Sequence, residues 1–139
     1  MTQDETFARP VVVGVDRSEE SASALRHALE LARDLGRPLI VVHAVGLLEE
    51  GGYRPAPSVD EMVAAARTLV GGADEAPVDV VREDGPAADV LVRCAQRLAA
   101  AYVVVGRRGM GAAPRLLGSV SEHVLERAAC PVVVVPPGT

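Results

Sequence analysis

The chain has 139 residues, enough for one domain around a single core, and carries a formal net charge of −5. It is 49% apolar but only 2% aromatic (Phe7, Tyr53 and Tyr102), so its core must be built from Val, Leu and Ala. All fourteen cationic side chains are arginine, which excludes lysine-dependent mechanisms such as the P-loop phosphate lysine and Schiff-base chemistry; the acidic balance argues against a nucleic-acid groove.

No apolar run reaches the roughly 18 residues of a membrane span. The start, MTQDETFARP, is polar and acidic rather than a signal peptide. Cys94 and Cys130 lack CxxC spacing and read as buried thiols of a reducing cytosol, with a redox or intermolecular role as the alternative. The expected setting is cytoplasmic, with no membrane partner.

The first apolar run, PVVVGV at 10–15, predicts a strand. Leu25, Ala28, Leu29, Ala32 and Leu35 then recur at spacings of three and four, predicting a helix that Gly36 and Pro38 stop. LIVVHAV at 39–45 is the second strand. Ser58-Val-Asp-Glu61 forms a capping box that opens a second helix, whose apolar face is expected at Met62, Ala65, Ala66 and Leu69 before Gly71-Gly72. VDVV at 78–81 is a third strand, and a helix starting at Pro86 is expected to bury Val90, Leu91, Cys94 and Leu98. YVVVG at 102–106 is a fourth strand. A second capping box, Ser119-Val-Ser-Glu122, opens a last helix with Val120, Val124 and Ala128 as its apolar side. PVVVVP at 131–136 closes the chain as a fifth strand.

Alternating strands and helices imply parallel strands joined by right-handed crossovers. The expected fold is α/β: an open doubly wound five-stranded parallel sheet with helices on both faces, Rossmann-like, in a single domain spanning 1–139. Ligands of such sheets bind beyond the carboxyl ends of the strands, where the strand order reverses. Three segments leave those ends: Gly14-Val-Asp16, His43-Ala-Val45 and the glycine-rich stretch after Val105.

In that stretch, glycine backbone at Gly106, Gly109 and Gly111 tolerates close approach, and its successive N–H groups read either as an anion-binding concavity or as an ordinary surface loop after a strand. The helix start at Gly118, Ser119, Val120 and Ser121 offers free N–H groups, the positive end of a dipole and two hydroxyls. Arg107 and Arg108 read either as bidentate partners of outer phosphate oxygens or as solvated loop positions. Asp16 reads either as a ribose or Mg2+ contact or as a helix cap with Glu19. His43 reads as structural at the strand–loop junction, with a general base as the alternative, and His27 and His123 lack metal-ligand spacing. No catalytic or metal site is assigned.

The chain resembles the universal stress protein family over residues 8–137. The resemblance is carried by VVVGVDRSEESASALRHAL, VVHAV, DGPAADVLVRCA and VVVGRRGMG…LLGSVSEHVLERAACPVVVVP. It implies that a Gly-x2-Gly-x9-Gly-Ser/Thr loop holds ATP phosphates, with Gly106, Gly109, Gly118 and Ser119 at its fixed positions. It also implies that Asp16 lies near ribose and that backbone at Ala44 contacts adenine. A homodimer through the last strand, Pro131 to Pro136, is a further implication. Two departures stand out. Eight residues, MGAAPRLL, separate Gly109 from Gly118 where the family pattern has nine, and Tyr102 stands where many members have Asp.

Decoy motifs fail on context. Gly109-Met-Gly111 follows the fourth strand rather than the first, so it is no dinucleotide fingerprint, and a phosphoacceptor domain would need a lysine. The expected function is an ATP-binding regulatory, stress-response module with little or no turnover, taking adenine nucleotide with or without Mg2+. The alternatives are a nucleotide-free homodimeric interaction protein of the same fold and a weak ATPase. The sequence names no protein partner.

Overall fold

The computed structural model describes residues 9–16, 19–45, 58–72, 76–107 and 117–138. Among them, strands and helices alternate as β1 (Val11–Val15), α1 (Glu19–Leu35), β2 (Leu39–Val45), α2 (Val59–Leu69), β3 (Val78–Asp84), α3 (Ala87–Arg97), β4 (Tyr102–Gly106), α4 (Ser119–Arg127) and β5 (Val132–Val135). Prolines set the starting line of the sheet. Pro10, Pro38, Pro77 and Pro131 each stand just before a strand, where no ladder donor is required of them. Their carbonyls accept from Ala101, Val11, Leu39 and Val103 at 2.8–3.0 Å.

All pairings are parallel and the order is β3-β2-β1-β4-β5, as the doubly wound reading expects. The order reverses between β1 and β4. Because side chains alternate across a strand, the valine runs feed two cores. Val11, Val13, Leu39, Val41 and Val104 meet Leu25, Ala28, Leu29 and Ala32 of α1 and Val59, Met62 and Ala66 of α2. Val12, Val42, Val103 and Val105 meet Val90, Leu91 and Cys94 of α3 and Val124 of α4. Each fully buried valine contributes about 1.5–3 kcal/mol relative to leaving it exposed.

Helix ends follow local chemistry. Gly36 takes φ 64°, and the Arg37 N–H closes on the Ala32 carbonyl at 2.9 Å, ending α1 with a left-handed residue. Ser58 caps α2 by accepting from the Glu61 N–H at 3.1 Å, as the capping box predicts. Ion pairs then join neighbouring elements: Arg97 of α3 reaches Glu83 of β3 at 3.2 Å, and Arg127 of α4 pairs with Asp89 of α3 in the same layer.

Several local expectations are corrected. β3 runs on to Asp84, beyond its apolar part, because Arg82, Glu83 and Asp84 continue the backbone ladder to His43, Ala44 and Val45. In α2, Ala65 and Leu69 face solvent, Leu69 at 67% exposure. The buried stripe is Val59, Met62 and Ala66, followed by Val70. Leu35 is exposed at the end of α1. Pro86 is the cap before α3 rather than its first residue. Ser119 does not cap α4: the cap position is Gly118, without a side-chain bond, and Val120 lies exposed while Ser121 and Val124 face inward.

Candidate functional site

The carboxyl ends of β1, β2 and β4 lie side by side at the point of reversal. Val15 pairs with His43 on one side, and Val13 pairs with Val104 on the other. Asp16 therefore follows β1 beside Ala44, the next-to-last residue of β2, and Gly106 ends β4. Asp16 is half-buried, and its N–H donates to Ser21 Oγ at 2.8 Å. That bond ties the end of β1 to the first turn of α1. A carboxylate here suits sugar hydroxyls and repels phosphate.

Gly106 has a packing reason to be glycine. An added Cβ would lie 3.0 Å from the Glu20 carbonyl oxygen and 3.1 Å from its carbon, so the first turn of α1 rests directly on the end of β4. Gly14 is likewise filled from above, by Leu91 Cδ2 at 2.9 Å from an added Cβ, on the opposite face of the sheet. Glu20 and Ser21 were invisible as site-shaping residues in the sequence, since nothing local marks a helix turn as the floor of another strand's end.

Beyond Gly106 the backbone of one residue holds three elements. The Arg107 N–H donates to the Val135 carbonyl of β5 at 2.8 Å, and the Arg107 carbonyl accepts from the Gly118 N–H at 2.8 Å. Ser121, 2% exposed, donates its hydroxyl proton to the Gly106 carbonyl at 2.6 Å, with the Arg107 carbonyl at 3.1 Å. The start of α4 is thereby pinned against the end of β4.

Pinned this way, the N–H groups of Ser119, Val120 and Ser121 have no carbonyl of their own helix to bind. They form the positive pole of α4. Arg107, whose carbonyl is bonded to the same helix start, has a buried Nε that meets no hydrogen-bond acceptor among the described residues. A buried donor on a cation is costly to leave unmade. An anion held at the α4 start and reached by Arg107 would answer both, so these residues fit a phosphate-bearing ligand.

The described candidates thus gather at one end of the sheet: Asp16, Ala44, Gly106, Arg107, Gly118, Ser119, Val120 and Ser121, with Gly14 packed within β1. Arg108, Gly109 and Gly111, and with them the shortened segment before Gly118, lie outside the described residues. His43, by contrast, is buried within β2. Cys94 is buried and Cys130 half-buried, both as free thiols; burial pushes each thiol up from its ordinary pKa. The expectation of two fully buried thiols therefore holds for Cys94 alone. No described helix is long and apolar enough to cross a membrane.

A family model for the universal stress protein family matches residues 8–136. The chain belongs to that family. It is 30% identical to a universal stress protein of Methanocaldococcus jannaschii, over 94% of this chain and 84% of the relative. It is 37% identical to one from Mycobacterium tuberculosis over 90% of this chain, but spans only 44% of that longer relative. Among solved structures, it resembles a universal stress protein in complex with cAMP, with a TM-score of 0.71 and 27% identity, covering 94% of this chain and 98% of the other. It also resembles a universal stress protein from Archaeoglobus fulgidus in complex with dAMP, with a TM-score of 0.65 and 27% identity, covering 91% and 97% of the two chains.

Proposed function

We propose that this chain binds an adenine nucleotide across the carboxyl ends of β1, β2 and β4, and works as a nucleotide-responsive regulatory module of the universal stress protein family with little or no turnover. The observation that carries this reading is an α4 start without a side-chain cap, tied at the reversal point of the sheet to the carbonyl of Arg107, an arginine whose buried Nε has no acceptor among the described residues. Phosphate would take the N–H groups of Ser119, Val120 and Ser121 together with the Arg107 guanidinium. Asp16 would take ribose hydroxyls, and backbone beside Ala44 would take the base. Adenine nucleotides in the two related structures, cAMP in one and dAMP in the other, support the class of ligand. ATP, with or without Mg2+, is the nucleotide proposed for this chain. The proposal places the protein in the cytoplasm as one domain that pairs through the β5 edge.

A second reading, a nucleotide-free interaction protein of the same fold, is favoured by one observation: Gly106 and Ser121 are each explained by packing alone. Substituting Gly118 by leucine separates the two. Under nucleotide binding, Gly118→Leu crowds the α4 start and lowers ATP affinity by at least about tenfold, a change of about 1.4 kcal/mol, while the oligomeric state is retained. Unchanged affinity would remove the phosphate assignment.

A further inference from the structure

We infer that the Ser121 hydroxyl is a positioning group of the anion site, holding the helix start in place, rather than one of its ligand contacts. The inference rests on the nucleotide reading above and changes the role that reading would give to this hydroxyl. A hydroxyl carries a single proton to donate. The proton of Ser121 points at the Gly106 carbonyl across 2.6 Å, in the short range for O–H···O bonds. The side chain sits in a 2%-exposed position on the inward face of α4, next in line to Val124. Ser119, the other hydroxyl of the first turn, faces solvent.

The bond has a mechanical consequence. Gly106 ends β4, and the next carbonyl, that of Arg107, accepts from Gly118 at 2.8 Å and lies 3.1 Å from Ser121 Oγ. Two consecutive carbonyls of the strand end are thus held by two residues of the helix start, three positions apart. Together they fix both the distance of α4 from the sheet and its rotation about its own axis. Rotation decides where the N–H groups of Ser119, Val120 and Ser121 point. With only the Gly118 bond, the helix start can turn, and that remaining bond opens more often. The tether therefore fixes the direction in which the helix start presents its donors.

Ser121→Ala and Ser121→Thr test this in the full chain, with two readouts. Amide hydrogen exchange of Gly118, whose N–H holds the neighbouring Arg107 carbonyl, reports in protein free of nucleotide how firmly the helix start is held; calorimetric titration with ATP reports the effect on binding. Positioning predicts that Ser121→Ala speeds Gly118 exchange about tenfold or more, leaves the Leu29 amide of the α1 core unchanged, and raises the Kd for ATP about tenfold. Ser121→Thr, which keeps the hydroxyl, restores both. Weaker ATP binding with unchanged Gly118 exchange would overturn the inference and make the hydroxyl a direct contact. Unchanged exchange together with unchanged binding would overturn it as well. If the parent protein takes up no ATP, the nucleotide reading fails on its own, and the exchange comparison still decides whether Ser121 holds the helix start.

Discussion

Gly106 shows how one residue can satisfy a family pattern and a packing demand together. The sequence places it at the head of a glycine loop, and the loop reading explains it by close approach of a ligand. In the fold, the space a side chain would need is taken by the Glu20 peptide, with carbonyl oxygen and carbon 3.0 and 3.1 Å from an added Cβ. Both are backbone atoms, so they cannot swing aside as the tip of a flexible side chain would. Gly106→Ala is therefore expected to destabilise the protein by about 1–3 kcal/mol, the usual cost of overpacking, and to lower the thermal midpoint by several degrees. A midpoint within one degree of the parent, read by calorimetry, would show that α1 yields there without cost. Ser119 teaches the converse. Its place before an apolar run and three residues ahead of Glu122 reads as a capping box, yet the cap is Gly118 and Ser119 is already helical. The box pattern does not specify which of two neighbours turns first, and here the bond from Gly118 to the Arg107 carbonyl fixes it.

At the level of elements, alternation and order were legible throughout because the signals are strong: valine runs for strands and three-and-four spacing for helices. Which face of a helix turns inward was less so. In α2, Met62, Ala65, Ala66 and Leu69 form a plausible stripe, but Val59, Met62, Ala66 and Val70 form the real one. Both have helical spacing. The choice comes from how α2 leans on α1, where Arg33 reaches the Gly71 carbonyl just past the α2 end, and no local pattern carries that. Met62→Ala is accordingly expected to cost about 2–4 kcal/mol, whereas Leu69→Ala stays within about 0.5 kcal/mol. Equal losses in urea denaturation would mean that α2 is rotated from the orientation described. The polar end of β3 was hidden for another reason. An outermost strand needs only its backbone to continue pairing, so Arg82, Glu83 and Asp84 extend it without any apolar signature.

For the molecule as a whole, the arrangement that matters is a sheet whose order reverses between β1 and β4, with two helix starts converging on that gap. The start of α1 packs on Gly106 and is tied to Asp16 through Ser21. The start of α4 is tied to the same strand end through Gly118 and Ser121. The Arg107 peptide carries this assembly on to the last residue of β5. An anion binding at the α4 start would therefore bear on three strands and two helices at once, a geometry suited to a module that responds to ligand by changing its firmness. That the strand ends carrying the candidate residues lie together at one end of the sheet was readable from the alternation of elements; the ties between them depend on which strand ends meet, and those meetings are set by the sheet. The most direct test of the central claim is calorimetric titration of nucleotide-stripped protein with Mg-ATP, paired with thermal unfolding at a ligand concentration about 100 times the measured Kd. Saturable binding of one nucleotide per chain is predicted, with about 2.7 kcal/mol of added stability raising the midpoint by several degrees. Absence of heat and of any midpoint shift at millimolar ATP would contradict it.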